Sequence, residues 1–265
     1  MSVLKSKRTL SRYEYLAAYG ELRKYSEEKV TKMAHRKFPY LGAPIIDILN
    51  RIDNYLMQIF DQYFYYDIKL NAKPEQAKIV IAELQNLQKP LLALWNVDKY
   101  TENRMGMWCD LINNTIQHVA RYGGIKCGRN DLVFMLDKTA ISKAEFIQNM
   151  CKLHKLIYTK MISAPKYVVN TTGKILMDLA DDSLYCVCKA NLGIPNNKQL
   201  YKQRKQCLST ALNCLKRMNR HIVTVFNLMG YSERVIKEWC DLYTYELTLL
   251  GNLIRADEKR FVHLT

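Results

Sequence analysis

The chain carries one motif twice. Tyr100-Thr101-Glu102 leads to Trp108-Cys109-Asp110-Leu111, and Tyr231-Ser232-Glu233 leads to Trp239-Cys240-Asp241-Leu242, every member at one offset of 131 residues. Trp and Cys are scarce, so a matched Trp-Cys-Asp-Leu with a matched lead-in marks a tandem duplication. Flanking positions agree without a gap: Leu84 with Leu215, Leu87 with Met218, Leu91 with Ile222, Leu94 with Val225, Trp95 with Phe226 and Val97 with Leu228. Ser11-Arg12-Tyr13-Glu14 and Ser142-Lys143-Ala144-Glu145 share the offset, and each has the Ser-x-x-Glu form that caps a helix start. Between these anchors the identities suggest a slip of a few residues. Thr31-Lys32-Met33 best matches Thr159-Lys160-Met161, and Ile48-Leu49 best matches Ile175-Leu176.

A chain of 265 residues with 49% hydrophobic content can bury two modest cores. Only 10 Gly and 6 Pro argue against a loop-rich all-β protein. Met1-Ser2-Val3-Leu4-Lys5-Ser6-Lys7-Arg8 is charged with no apolar run behind it, unlike a secretory signal, and no run approaches the ~20 apolar residues of a membrane span. The expectation is a soluble, cytoplasmic protein without membrane partners. In the duplicated motif Trp and Cys are expected to be core residues of each fourth helix, Cys109 and Cys240 among them, with Asp110 and Asp241 facing neighbours, and the eight cysteines include no Cys-x-x-Cys pair. Cys151 and His154 lie one turn apart, but a zinc site needs four ligands and no second pair accompanies them. No metal or cofactor is expected, and reduced thiols suit the cytoplasm.

Apolar spacing predicts four helices per repeat. In the first they cover Arg12 to about Lys37, Gly42 to about Lys69, Glu75 to about Asn96 with a kink at Pro90, and a Thr101-capped helix ending before Gly123-Gly124. In the second they cover Lys143 to about Ser163, Val168 to about Leu192, Lys198 to about Leu228, and Glu233 to about Arg255. Pro165 takes the place of Pro39. Tyr63-Phe64-Tyr65-Tyr66 alone has strand-like composition. The fold expected is all-α, two tandem up-down four-helix bundles: a basic arm over 1–10, repeat one over 11–124, a linker over 125–141, repeat two over 142–258 and a tail over 259–265. The linker's apolar Leu132-Val133-Phe134-Met135-Leu136 is expected to pack on a bundle.

Charge carries the functional signal. Forty Lys and Arg against 25 Asp and Glu leave +15, shared almost evenly, since residues 1–130 hold 20 basic against 13 acidic and 131–265 hold 20 against 12. Two basic bodies suit a polyanion such as RNA or DNA. On the third helix of repeat two, Lys198, Lys202, Lys205, Lys216 and Arg220 fall within a stripe ~60° wide and ~33 Å long, with Ser209 and Asn213 in its gaps. No acidic residue of that helix interrupts the stripe, whereas an ordinary solvated face mixes signs. Lys29, Lys32 and Arg36 are expected to share one face of the first helix, and Lys5, Lys7, Arg8 and Arg12 form the arm. No phosphate-binding Gly-rich loop, His-Glu-x-x-His or nucleophile elbow occurs. Arg217 and His221 stand closer together than the Arg-and-His pair of helical ribonucleases. A non-enzymatic role is expected.

The order of these features resembles the accessory variability determinant proteins of diversity-generating retroelements. The resemblance rests on the basic pair before a proline (Arg36-Lys37-Phe38-Pro39), the apolar second helix (Ile45 to Ile59), the Leu-rich third (Leu84, Leu87, Leu91, Leu94) and the capped fourth, with repeat two a more divergent copy. Gln85 and Gln88 stand where that family often has arginines, and Tyr122-Gly123-Gly124 matches its Gly- and Trp-bearing end only in part. The resemblance implies a non-catalytic partner of a reverse transcriptase that holds template RNA or the RNA/cDNA hybrid, with self-association in that family. Two rival classes share the composition: a helical RNA-binding subunit of another phage or defence ribonucleoprotein, and a protein-interaction bundle without nucleic acid.

Overall fold

The computed structural model describes residues 2–65, 73–98, 100–128, 131–134 and 144–264. All regular structure among them is helical. In chain order the elements are α1 (Ser2–Thr31), a π turn (Phe38–Gly42), α2 (Ala43–Tyr65), α3 (Lys73–Asn86), α4 (Gln88–Asp98) and α5 (Glu102–Tyr122). Then come α6 (Glu145–Ser163), a helical turn (Lys166–Val168), a second π turn (Val169–Gly173), α7 (Lys174–Ala190), α8 (Lys198–Met229), α9 (Glu233–Arg260) and a 3-10 turn (Val262–Leu264). No described helix is long and apolar enough to cross a membrane.

The chain divides into two compact units, Met1–Leu94 with Tyr100–Met135, and Trp95–Lys99 with Leu136–Thr265. In the first, α1 and α3 each pack against both α2 and α5; in the second, α6 and α8 each pack against both α7 and α9. Each unit thus closes a cycle of four helices, as an up-down bundle does.

The duplication is ungapped. Along α1 the buried Ala18, Tyr19, Leu22, Ser26 and Val30 correspond, 131 residues on, to the buried Asn149, Met150, Leu153, Ile157 and Met161 of α6. Along α2, Ile45, Ile48, Leu49, Ile52 and Leu56 correspond to the buried Leu176, Leu179, Ala180, Ser183 and Val187 of α7. The slip suggested by Thr31-Lys32-Met33 and Ile48-Leu49 is therefore wrong. Thr31, Lys32 and Thr159 are exposed, and surface types recur cheaply, whereas packing fixes which positions face inward.

The π turns give the same register. Each ends on a glycine, Gly42 or Gly173, at the start of the second helix. A Cβ on Gly42 would sit 2.8 Å from Val30 Cγ1 and 2.9 Å from Phe38 Cδ2; one on Gly173 would sit 2.8 Å from Met161 Sδ. Val30 and Met161 are themselves 131 apart, so one close approach is built twice. Pro39 lies inside its π turn, whereas Pro165 precedes the turn Lys166–Val168. The two prolines are not equivalent.

Several boundaries differ from the expectation. α1 begins at Ser2 and passes through Ser11, so its Ser-x-x-Glu does not start a helix and no separate arm exists over 2–10; Ser142 lies outside the described residues. α1 stops at Thr31, and the chain turns through 35–37 into the π turn. Tyr63, Phe64 and Tyr65 continue α2. The third helix of repeat one breaks at Leu87, because Pro90 cannot donate to the carbonyl four residues back and its ring crowds it. Without that proline α8 is one helix of 32 residues, with Asn197 Oδ1 accepting from Leu200 N at 2.9 Å and Gly230 closing the other end at φ 57°. Thr101 holds the N-cap position of α5 without a side-chain hydrogen bond. The tail is structured, since α9 runs to Arg260 and the buried Phe261 lies 5.5 Å from the Tyr201 ring.

Asp131–Phe134, expected in the linker, is a strap on the first unit. Gln85 Nε2 donates to Asp131 O at 2.8 Å and Gln88 Nε2 donates to Phe134 O. Asn113 pairs with the backbone of Val133 twice, accepting its N–H at 2.8 Å and donating to its carbonyl at 3.1 Å. Cys109 Sγ points to Phe134 O at 3.8 Å, and Val133 is buried. The apolar patch does pack on a bundle, through Val133. Met135 and Leu136 lie outside the described residues.

Candidate nucleic-acid interface

α8 is amphipathic in the way its spacing requires. Tyr201, Leu208, Ala211, Leu215, Met218, Ile222 and Val225 are buried, and the opposite side exposes Lys198, Lys202, Lys205, Lys216 and Arg220. Asn213 is also exposed, and Ser209 is half-buried. Burial of the apolar side at ~25 cal/mol per Å² fixes the rotation of the helix and so points the basic side outward.

One member of the stripe is compensated. Lys205 Nζ lies 3.0 Å from Glu258 Oε1 of α9, and that hydrogen bond, then the carboxylate charge, raises the lysine pKa. The stripe is acid-free along α8 but not in space. Lys198 and Lys202 remain at one end, and Lys216 and Arg220 at the other. Arg204, from the flank of the same helix, turns inward instead. Its guanidinium donates to Asp257 at 2.6 Å and to Ala190 O, tying α8 to α9.

The second end is more basic than the stripe alone predicted. Arg217 is exposed beside Arg220, and His221 Nδ1 lies 2.8 Å from Thr172 Oγ1 of the π turn. Burial, then the charges of Arg220 and Arg217, lower the His221 pKa. Lys166 and Lys174, both exposed, flank the segment that meets α8 here. Arg217 was legible as a neighbour of His221, but Lys166 and Lys174 join the patch only through the packing of the π turn.

The basic set of repeat one does not form the expected face. Lys29 is half-buried, with Nζ 4.8 Å from the centre of the Tyr25 ring and 3.4 Å from Glu28 Oε1. Lys32 Nζ lies 3.0 Å from the same Glu28 oxygen, and the two lysines lower the Glu28 pKa. Arg36 is exposed but lies beyond the end of α1. A carboxylate between two lysines, and an early helix end, remove the stripe.

The duplicated motif is architectural. Trp108 and Trp239 are fully buried, and their rings lie 6.0 Å from Tyr100 and 6.5 Å from Tyr231, the matched lead-in tyrosines. Cys109 is buried, but Cys240 is exposed, and both Asp110 and Asp241 face solvent. The expectation of a core Cys240 and of aspartates set against neighbours is corrected accordingly.

Cys151 and His154 are not arranged for nucleophilic chemistry. Burial, then the charge of Glu246, pushes the Cys151 thiol up to about 12, away from the thiolate. His154 is fully buried with both ring nitrogens engaged, Nδ1 at 3.0 Å from Asn96 Nδ2 and Nε2 at 2.8 Å from Asp181 Oδ1. Tyr158 donates to the same carboxylate at 2.8 Å. Among the described residues no three His, Cys, Asp or Glu side chains gather as a metal site would require.

Comparison with known protein families, with characterised proteins and with solved structures finds no match to this chain.

Proposed function

We propose that this protein is a non-catalytic accessory factor that holds a nucleic acid for a reverse transcriptase, with α8 of the second unit as the phosphate-facing surface. The observation that carries the reading is the run of exposed cations opposite the buried side of α8, joined at one end by Arg217, Lys166 and Lys174. Lys198 and Arg220, 22 positions apart on one helix, span ~33 Å, enough for several phosphates. Lysines and arginines on a rigid rod would position template RNA or an RNA/cDNA hybrid without reading bases. The polymerase partner, and its place in a diversity-generating retroelement, rest on the resemblance of repeat one.

Two measurements test the two parts. Binding of a labelled RNA/DNA hybrid, titrated at increasing salt, is expected to weaken steeply along log salt, as counterion release requires. A flat response would overturn the nucleic-acid reading and leave a protein-interaction bundle. Co-purification with a reverse transcriptase encoded beside this chain is expected. RNA binding without that partner would instead favour a structural subunit of another ribonucleoprotein.

A further inference from the structure

The duplication shows what is missing from the second unit. In the first, the strap Asp131–Phe134 covers the side of the bundle that carries Gln85, Gln88, Cys109 and Asn113. The equivalents 131 residues on are Lys216, Asn219, Cys240 and Thr244, and all four are exposed. Apolar positions follow suit: Leu92 is 4% exposed but its counterpart Val223 is 49% exposed. Ile112 is buried, whereas its counterpart Tyr243 is half-buried.

The second unit cannot supply this cover as the first does. The strap of repeat one is launched by Gly123-Gly124, the latter at φ 64°. The corresponding Ile254-Arg255 lie within α9, and the residue that follows that helix, Phe261, is buried against Tyr201. A second copy's strap is already held in its own unit by Gln85, Gln88 and Asn113.

We infer that this open side of the second unit, along α8 and α9, is a docking site for an extended segment of a protein partner carrying an acidic residue followed by apolar ones. The strap itself, Asp131-Leu132-Val133-Phe134, shows the class of segment such a side accepts. The hooks of the first unit bond backbone groups that an α-helix would keep for itself, so they require non-helical chain, and Val133 is its buried apolar residue. The change from Gln85 to Lys216, with Arg220 one turn further on, makes the second site favour an acid at the segment's leading end. The site shares Lys216 and Arg220 with the nucleic-acid surface but also takes in the exposed Val223 and Cys240, which a phosphate-facing run has no use for.

The test uses the full chain and a fluorescent peptide of residues 128–136, Gly-Arg-Asn-Asp-Leu-Val-Phe-Met-Leu. Saturable binding is expected, with alkylation of Cys240, located by mass spectrometry, slowed by the bound peptide. Val223→Asp, at an exposed site that leaves the bundle folded, should weaken binding by about tenfold or more. Lys216→Glu should weaken the Asp131 peptide and favour one with lysine at that place. Absence of saturable binding, or binding untouched by Val223→Asp, would overturn the inference. So would loss of binding only in Asn113→Ala, which would place the peptide in the first unit's own strap site. Protection of Cys240 by a 12-nucleotide oligouridine and not by the peptide would assign the surface to nucleic acid and overturn it equally.

Discussion

Trp108 of the first unit donates its indole N–H to Ser26 Oγ at 2.7 Å, whereas the indole nitrogen of Trp239, its counterpart in the second, has no hydrogen-bond partner among the described residues. The acceptor is gone because the position 131 residues after Ser26 is Ile157. The same contrast recurs at Thr115, which bonds its own helix through Leu111 O, and Glu246, which is buried in the second unit with Asn149 donating to one oxygen at 2.9 Å. It recurs again at Cys109 and Cys240, one under a strap and one exposed. The two units keep one packing geometry and differ in their polar chemistry. Among the described residues the first unit leaves His118 Nδ1 without a hydrogen bond, whereas the second leaves Tyr201, Tyr231, Trp239 and Glu246 each with such an atom and keeps a basic, partly apolar surface open. Interiors constrain volume at each position, so register survives while hydrogen-bond partners and surface charge drift.

The largest difference expected between the units is in pH response. Burial, only partly offset by the Asn149 hydrogen bond, raises Glu246 from 4.5 to about 8. Between these values the folded state keeps a proton that the unfolded state has lost, so stability is full below the unfolded value and falls as pH rises through the folded one. The loss from this position is on the order of a few kcal/mol. Thermal melts at pH 5 and pH 8.5 should therefore diverge in the wild type and converge in Glu246→Gln. Equal divergence in both would show that the carboxyl is not the source.

Next in size is the duplicated close approach. Gly42→Ala drives a methyl into the stiff, β-branched Val30 and the Phe38 ring, at a cost of about 2–3 kcal/mol, while Gly173→Ala meets chiefly the flexible thioether of Met161, with Val168 O at 3.3 Å, and should cost about 1 kcal/mol. Urea midpoints of the two variants measure this ordering. Reversal would mean that the two π turns are not equivalent. Smaller still, Ser26→Ala strands the Trp108 N–H and should cost about 1–2 kcal/mol by chemical denaturation, giving the first unit the orphan the second already tolerates. No change would mean that the indole hydrogen bond does not distinguish the units.

Much of this architecture was readable from the chain. Trp108 and Trp239 fixed the offset, and apolar spacing placed the helices and the buried side of α8. What failed depended on partners remote in sequence. Glu258 lies 53 residues from Lys205, and only the packing of α9 on α8 brings a carboxylate to the stripe. The strap's apolar residues stood out, but Gln85, Gln88 and Asn113 gave no local sign that they would hold a backbone. Ser11 has the form of a cap yet lies within α1, because a helix-starting motif does not stop a helix that continues through it. Ser26 resembles a surface residue on composition alone, and its burial is set by an indole 82 positions away.

On the proposed function, nucleic acid meets α8 of the second unit rather than Lys29 and Lys32 at the end of α1 in the first. The direct measurement is the salt slope of hybrid binding for the wild type, for Lys202→Glu/Lys216→Glu/Arg220→Glu, and for Lys29→Glu/Lys32→Glu. If the first set meets the phosphates, each lost contact should lower the slope by ~0.7–0.9, so the triple variant should lose about 2–3 and the double variant almost nothing. An equal loss in both variants, or a slope unchanged in the triple, would contradict it.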